Sequence, residues 1–469
     1  MSGQTDFRGK KAHIIGMARS GLAAAEALAS LGAVVTIHDK KEFSDLQDAL
    51  ELIRDMGVET KTGAAVYDGI GLADLVVTSP GVPESCPGLI AAQRAGIPIL
   101  SEIELAYRIS SAPIIAVTGT NGKTTTAALI GEILKQDGKK VFIAGNIVAG
   151  EIRLPLVRAA AQASASDVIV AEISSFQLEW ISTFRPKVAV LLNISADHLD
   201  RHPNIEIYAL TKARVFGYQE ADDYAVLNAD DPRVAGLAGI IHGQIRYFSC
   251  AKEVEIGTFL RGSEVRLRSP AGDELVCDTA TMKLRGLHNL ENILAASAAA
   301  LAFGVKKNSV QEAVNSFEAL EHRLEPVAEI GGVEFLNNSM CTNVAASVRS
   351  LEAIGRPAIV IAGGKDKGSD YAPLGEAFRH HAKHVVLIGK DAPLIEKAAR
   401  DAGFDRISHA SSMEEAVEKA WNLAERGDTV VLSPGCASFD MFDDFEHRGR
   451  VFKAAVAALA ERVKAGGRA

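Results

Sequence analysis

The chain has little that would mark a metal-stapled, secreted or membrane protein. Its five cysteines (Cys86, Cys250, Cys277, Cys341 and Cys436) are scattered and form no CxxC pair. Neither a zinc site nor a disulfide framework is therefore indicated. An odd number of separate thiols fits a reducing compartment, so a cytoplasmic location is expected. No apolar run reaches the roughly 18 residues of a membrane span. The opening residues MSGQTDFRGKK hold no apolar stretch, so no secretory signal is expected. Positive charge is in deficit: Lys plus Arg is 50, Asp plus Glu is 59, and the net charge is -9. That excludes a nucleic-acid partner held by overall charge. A local basic site can still meet an anionic ligand.

What is present is the composition of an ordinary globular protein, 469 residues with 48% apolar and 23% charged side chains. At roughly 150 residues per domain the length predicts about three domains, each able to bury a core. Short apolar runs alternate with helical periodicity in three series. They open near His13 to Ile15, Ile114 to Val117 and Val333. Such alternation implies βαβ units and parallel sheets, an α/β fold. Short alternation from Val254 to Met282 reads as antiparallel hairpins instead. No short internal repeat is visible. Boundaries fall near 110 and 322, giving domains 1–110, 111–322 and 323–469.

The strongest local signal is Thr118-Gly119-Thr120-Asn121-Gly122-Lys123-Thr124, between an apolar strand and a helical run that includes Thr125. Glycines there free backbone N–H groups for a phosphate, and a helix N-terminus favours the anion. Lys123 can reach terminal phosphates, and the Thr124 hydroxyl can bind Mg²⁺. The first turn, Gly16-Met17-Ala18-Arg19-Ser20-Gly21 with Asp39 after the next strand, is a degraded dinucleotide fingerprint. Ala18 stands where a glycine would let backbone approach a pyrophosphate, which disfavours NAD and FAD. By itself this turn fits either a nucleotide-sugar diphosphate or a purely structural role. Glu172 ends one apolar strand, and His198 follows another. Carboxylate and imidazole at such strand ends, beside an ATP loop, fit a second Mg²⁺. Lys212, Asn289 and Asn292 carry no signal of their own from spacing.

Taken together, these residues resemble the Mur ligase family. The run Gly119 to Thr124 has that family's form of the ATP loop. Ser174-Ser175-Phe176-Gln177-Leu178-Glu179 and Asp197-His198-Leu199-Asp200-Arg201 are also similar to family segments. The most specific is Ser433-Pro434-Gly435-Cys436-Ala437-Ser438-Phe439-Asp440, continuing to Phe445-Glu446-His447-Arg448-Gly449. It looks like the branch that adds D-glutamate. Relatives that add diaminopimelate or lysine usually carry a DNPR-like segment, which this chain lacks.

The resemblance implies three domains: a Rossmann-like N-terminal domain for a UDP-sugar, a central P-loop-type α/β domain for ATP, and a C-terminal Rossmann-like domain for glutamate. It implies an ATP-dependent ligase of peptidoglycan synthesis, joining D-glutamate to UDP-N-acetylmuramoyl-L-alanine through an acyl phosphate, as a monomer without nucleic-acid or membrane partners. Arg19, Ser20, Asp39, Lys40, Ser79 and Gly81 would face the uridine nucleotide, with Asn146 and Ser174 further along the same substrate. Gly119, Thr120, Asn121, Gly122, Lys123, Thr124 and Thr125 would hold ATP phosphates. Asn289, Asn292 and Arg323 would contact the rest of ATP. Thr124, Glu172 and His198 would serve two Mg²⁺ sites. Lys123, His198 and Lys212 would be catalytic, Lys212 as a carbamate. Thr342, Lys367, Ser438 and Phe445 would form the glutamate pocket.

Two segments depart from the family. Asn338-Ser339-Met340-Cys341-Thr342-Asn343 stands where the family usually has Asp-Ser-Lys-Ala-Thr-Asn, so an anion and a cation are both replaced by neutral groups. Removing both members of such a pair is tolerable where removing one is not. Either activity is unchanged, or the nucleotide or amino-acid choice is altered, L-glutamate included; Lys367, with Lys365 nearby, could then supply the missing charge. Val148 stands where glycine is usual after Asn146. A folylpolyglutamate synthase is disfavoured by the βαβ unit before the ATP loop. An inactive nucleotide-binding module is disfavoured by the retention of Lys123, Glu172, His198 and Lys212.

Overall fold

The computed structural model describes residues 5–63, 66–147, 154–198, 201–284, 286–365 and 369–466. Three sheets follow one another along the chain. The first contains β1 (Lys11–Ile15), β2 (Val34–Asp39), β3 (Glu59–Thr62), β4 (Leu75–Thr78) and β5 (Ile99–Ser101), all parallel, in the order β3-β2-β1-β4-β5. Connections leave β1 and β4 in opposite directions, which opens a crevice at their carboxyl ends.

The second sheet holds nine strands: β6 (Ile114–Thr118), β7 (Val141–Gly145), β8 (Val168–Glu172), β9 (Val188–Leu191), β10 (Tyr224–Asn228), β11 (Gln244–Ser249), β12 (Gly257–Arg261), β13 (Glu264–Ser269) and β14 (Gly272–Asp278). Their order is β14-β13-β12-β11-β10-β9-β6-β8-β7, parallel except for the β12–β13–β14 meander. That meander is the expected antiparallel stretch. β6, β8 and β9 are buried along their whole length, as continuous apolar runs in a parallel sheet must be.

The third sheet runs β15 (Glu325–Ile330), β16 (Val333–Asn337), β17 (Ala358–Gly363), β18 (Ala382–Ile388), β19 (Ile407–His409) and β20 (Thr429–Leu432), in the order β15-β16-β20-β17-β18-β19. It is parallel except at β15, which pairs antiparallel with β16. The sequence signal for this series starts at Val333 because Glu325–Ile330 is a partly exposed edge strand interrupted by Pro326. One apolar cluster covers each face of the sheet, around Leu374 and Phe378 on one side and Phe335 and Phe452 on the other.

The chain forms two compact units: residues 1–280 with 291–315, and 281–290 with 316–469. The first two sheets share the first unit. There, helix Arg19–Ser30 packs on helices Glu102–Ile109 and Leu156–Gln162, and one continuous apolar core runs from Leu28 through Ile103 and Leu156 to Ile169.

Candidate active site

The ATP-type loop leaves β6 and enters helix Lys123–Gln136 directly, two residues earlier than the helical periodicity from Thr125 suggests. The early start puts Lys123 and Thr124 in the first turn, where backbone N–H groups have no partners within the helix. Gly119 and Gly122 have φ of 148° and 85°. A Cβ on Gly122 would lie 2.4 Å from Asn292 Oδ1, so close approach and left-handed backbone both demand glycine. The loop is shaped from below by Asn193, just past β9. Its carbonyl accepts from Thr120 N–H (2.9 Å), its Oδ1 accepts from Asn121 N–H (2.8 Å), and its amide donates to Asn121 C=O (3.2 Å). Sequence reasoning does not single out Asn193; its signal is its position at the carboxyl end of a buried parallel strand.

Lys123, Thr124, Asn146, Glu172 and Lys212 come together around the carboxyl ends of β6 and β8. Thr124 Oγ1 donates to Glu172 Oε2 at 2.7 Å, and Asn146 Nδ2 donates to Glu172 Oε1 at 3.2 Å. A hydroxyl beside a buried carboxylate is an all-oxygen donor set of the kind Mg²⁺ takes. Lys123 Nζ donates to Thr120 C=O (2.8 Å), folding back over the loop it would serve. Asn292 accepts from Thr126 Oγ1 (3.1 Å). Lys212 comes from helix Ile205–Ala213, more than ninety residues away in sequence, and is fully buried. Its Nζ donates to Gly119 C=O (2.9 Å) and lies 4.6 Å from the centre of the Tyr208 ring. Burial, reinforced by the like charge of Lys123, holds its amine well below the ordinary lysine range. His198 adopts a left-handed backbone (φ 53°), with Asp197 at 3.7 Å and the Phe176 ring edge-on at 4.9 Å.

The first turn forms a second cluster at the crevice of the first sheet. Asp39 Oδ2 accepts from Met17 N–H (2.8 Å) and Oδ1 from Lys41 N–H (3.0 Å). Ser79 Oγ donates to Gly16 C=O (3.1 Å), and a Cβ on Gly16 would clash with Ser79. Asp39 and Ser79 therefore build the turn. Arg19 and Ser20 open helix Arg19–Ser30, whose N-cap residue Ala18 makes no side-chain cap hydrogen bond. Lys40 and Gly81 are exposed at its rim. Ser174 accepts from Gln177 N–H, and Gln177 Oε1 accepts from Ser174 N–H and Oγ, a capping box at the head of helix Ser175–Leu178.

In the second unit, Thr342 follows β16, Ser438 follows β20, and Phe445 heads helix Phe445–Lys464. Their segments are tied at one end of the third sheet. Ser339 Oγ donates to Phe445 C=O (2.6 Å), and Gly435 N–H donates to Cys341 C=O (3.1 Å). Arg448, fully buried, donates to Ser339 Oγ, Ser339 C=O and Cys436 C=O. Asn289 and Arg323 also belong to this unit, Asn289 buried and Arg323 half-buried. Lys367 lies outside the described residues.

Asn338 is buried and accounts for its own neutrality. Its Oδ1 accepts from Leu324 N–H (3.2 Å), and its Nδ2 donates to Cys341 Sγ (2.7 Å) and Ser350 Oγ (2.6 Å). Ser350 Oγ in turn donates to Ala346 C=O (2.7 Å). An amide supplies both donors required here, and an aspartate supplies neither.

Three stretches of the chain match domains of a single family. Residues 10–101 match the MurD-like N-terminal domain of Mur ligases, residues 117–300 the Mur ligase middle domain, and residues 322–436 the Mur ligase glutamate ligase domain. A UDP-N-acetylmuramoylalanine–D-glutamate ligase from Pelotomaculum thermopropionicum is 46% identical over 97% of this chain and 99% of its own. The chain belongs to the Mur ligase family. A second relative of this Mur ligase, with the same name and from Koribacter versatilis, is 42% identical over 98% of this chain and 100% of its own. Among solved structures, the UDP-N-acetylmuramate–alanine ligase MurC from Thermotoga maritima shares the fold, with TM-score 0.60 and 18% identity over 96% of this chain and 100% of that one. So does a pseudomurein peptide ligase type C from Methanothermus fervidus, at TM-score 0.59 and 20% identity over the same shares.

Proposed function

We propose that this Mur ligase joins D-glutamate to UDP-N-acetylmuramoyl-L-alanine at the expense of ATP, in peptidoglycan synthesis. The observation that carries the reading is the convergence of Lys123, Thr124, Glu172 and the buried Lys212 on one ATP-type loop, in a chain similar along its length to ligases of that name.

Mur ligases use ATP and Mg²⁺. A carboxylate oxygen of the UDP-linked substrate attacks the γ-phosphorus, ADP leaves, and an acyl phosphate forms. The amine of glutamate then attacks the acyl carbon, phosphate departs, and the amine gives up its proton. The loop N–H groups and Lys123 hold the phosphates and offset charge on the transferring group. Thr124 and Glu172 would hold one Mg²⁺, and Glu172 with His198 a second; bound there, the ions would neutralise phosphate charge. Lys212 is read as carbamylated. A lysine kept neutral by burial has the free electron pair that attack on CO₂ needs. Attack would form the N–C bond and release one amine proton to solvent, and the resulting carbamate would place an anion beside the metal ligands. Asp39, Ser79 and the N-terminus of helix Arg19–Ser30 support a uridine diphosphate at the first turn, and Thr342, Ser438 and Phe445 the amino acid.

Phosphate release from UDP-N-acetylmuramoyl-L-alanine, ATP and Mg²⁺, with D-glutamate and L-glutamate in parallel, tests this. Release with D-glutamate is expected. Absence of release with both isomers defeats the ligase reading, and release only with L-glutamate defeats the stereochemistry.

A further inference from the structure

Arg201 closes the segment from Asp197 that the sequence singles out, yet the chemistry above gives it no part. Its backbone N–H donates to His198 C=O (3.0 Å). Its side chain, 17% exposed, reaches back 119 residues to the loop after β4, where Nη2 donates to Val82 C=O (2.9 Å). The same guanidinium donates from Nε to Glu179 Oε1 (3.1 Å) and from Nη2 to Glu179 Oε2, pairing with a carboxylate that is only 8% exposed. Its centre also lies 5.2 Å from the centre of the Phe176 ring.

Both ends of this tie lead to segments expected to face the UDP-linked substrate. Val82 follows Gly81 directly, and its N–H donates to Ser79 C=O (3.0 Å). Its Cγ2 would lie 3.3 Å from a Cβ on Gly16, so its side chain packs against the first turn. Phe176 lies in helix Ser175–Leu178, capped by Ser174, and Glu179 is the C-cap of that helix. Val82 belongs to a loop of the first sheet, whereas Ser174 follows β8 of the second. Arg201 therefore pins a loop of one sheet to a loop of the other. Three N–H groups of one rigid plane make the link, which the point charge of a lysine would not reproduce. A pair so poor in water is weak evidence of stability. What it fixes is relative position.

We propose that Arg201 is a positioning residue for the UDP-linked substrate: it holds the Val82 side of the nucleotide turn and the Ser174 segment in register, so that one ligand reaches both. The inference rests on the functional reading above. A ligand gripped at two places gains from the second grip only when the places lie at the span it requires. Loss of the tie therefore weakens a ligand that spans both segments and spares one that fills the nucleotide turn alone.

Calorimetric titration of the full chain with UDP-N-acetylmuramoyl-L-alanine tests this in the wild type, Arg201→Met and the double variant Arg201→Met with Glu179→Gln. UDP affinity is read alongside, by competition against that substrate. The double variant leaves no buried carboxylate without its cation. Both variants are expected to bind the full substrate about tenfold more weakly. Their affinity for UDP, and their KM for ATP and for glutamate, should stay within about twofold. The double variant should melt with the wild type. Equal losses for UDP and for the full substrate overturn the proposal, because Arg201 then touches the diphosphate or shapes the turn alone. Unchanged affinity for the full substrate also overturns it. A double variant that melts lower or fails to fold does so too, because the pair then serves the fold. If the wild type binds neither UDP nor the full substrate, the functional reading fails, a result distinct from these.

Discussion

Gly122 shows how little freedom single positions have around the ATP loop. Its backbone is left-handed, and the space a Cβ would enter is held by Asn292 Oδ1. Gly122→Ala should cost about 1–3 kcal/mol in urea unfolding and raise KM for ATP more than KM for glutamate. Lys123→Ala removes the one side chain of the loop that can neutralise a transferring phosphate. Its kcat for phosphate release should drop by about 10²–10³ or more, with melting temperature nearly unchanged. Asn338→Asp would turn an oxygen toward Ser350 Oγ, whose own proton is already given to Ala346. The expected loss is about 1–3 kcal/mol at pH 7, read from the urea midpoint. Glu102 carries a pH signature. Its folded-state pKa of about 7 lies above the ordinary 4.5. Between those values the folded state binds the proton and the unfolded chain does not. The stabilisation that proton gives is complete below about pH 4.5 and is lost as pH rises through 7, a total of about 3 kcal/mol. Unfolding free energies of wild type minus Glu102→Gln, compared at pH 5 and pH 8, should fall by an amount of that order.

At the level of elements, most of the parallel framework is legible before any coordinates. β6, β8 and β9 read as apolar runs because both faces of a parallel sheet are covered. Helix starts are less legible. Lys123 and Arg19 belong to their helices although periodicity begins later, since polar first turns are shaped by unpartnered N–H groups rather than by burial. β3 and β15 escape sequence reading because they are edge strands with mixed exposure. The Ser174–Gln177 capping box is local enough to be read from spacing. Ser174→Ala should cost about 1 kcal/mol by urea unfolding.

For the whole molecule, two compact units with separate cores lead to an expectation of two calorimetric transitions. UDP-N-acetylmuramoyl-L-alanine at about 100 times its Kd should raise the transition of the larger unit, by close to 2.7 kcal/mol of added stability. The other transition should not move. A single transition shifted as one by this ligand would show that the units unfold together. The net charge of -9 takes on a definite meaning at this scale. On the proposed function, anionic ligands would be met by a few placed groups, Lys123 and the loop amides in the first unit among them, and not by an overall field.

The sequence by itself determined the α/β class, the ATP-type loop and the residue types of both glycine-containing turns, because these depend on local torsion and on patterns within a few residues. It could not tell that Lys212 is buried against Gly119 C=O, that Asn193 shapes the loop from beneath, or that Asn338 spends both its donors inside the protein. Those facts join residues far apart in the chain or reverse the reading of a polar side chain. Only tertiary packing sets which polar groups lose water, and that loss decides whether a lysine is a surface charge or a neutral amine beside a phosphate loop.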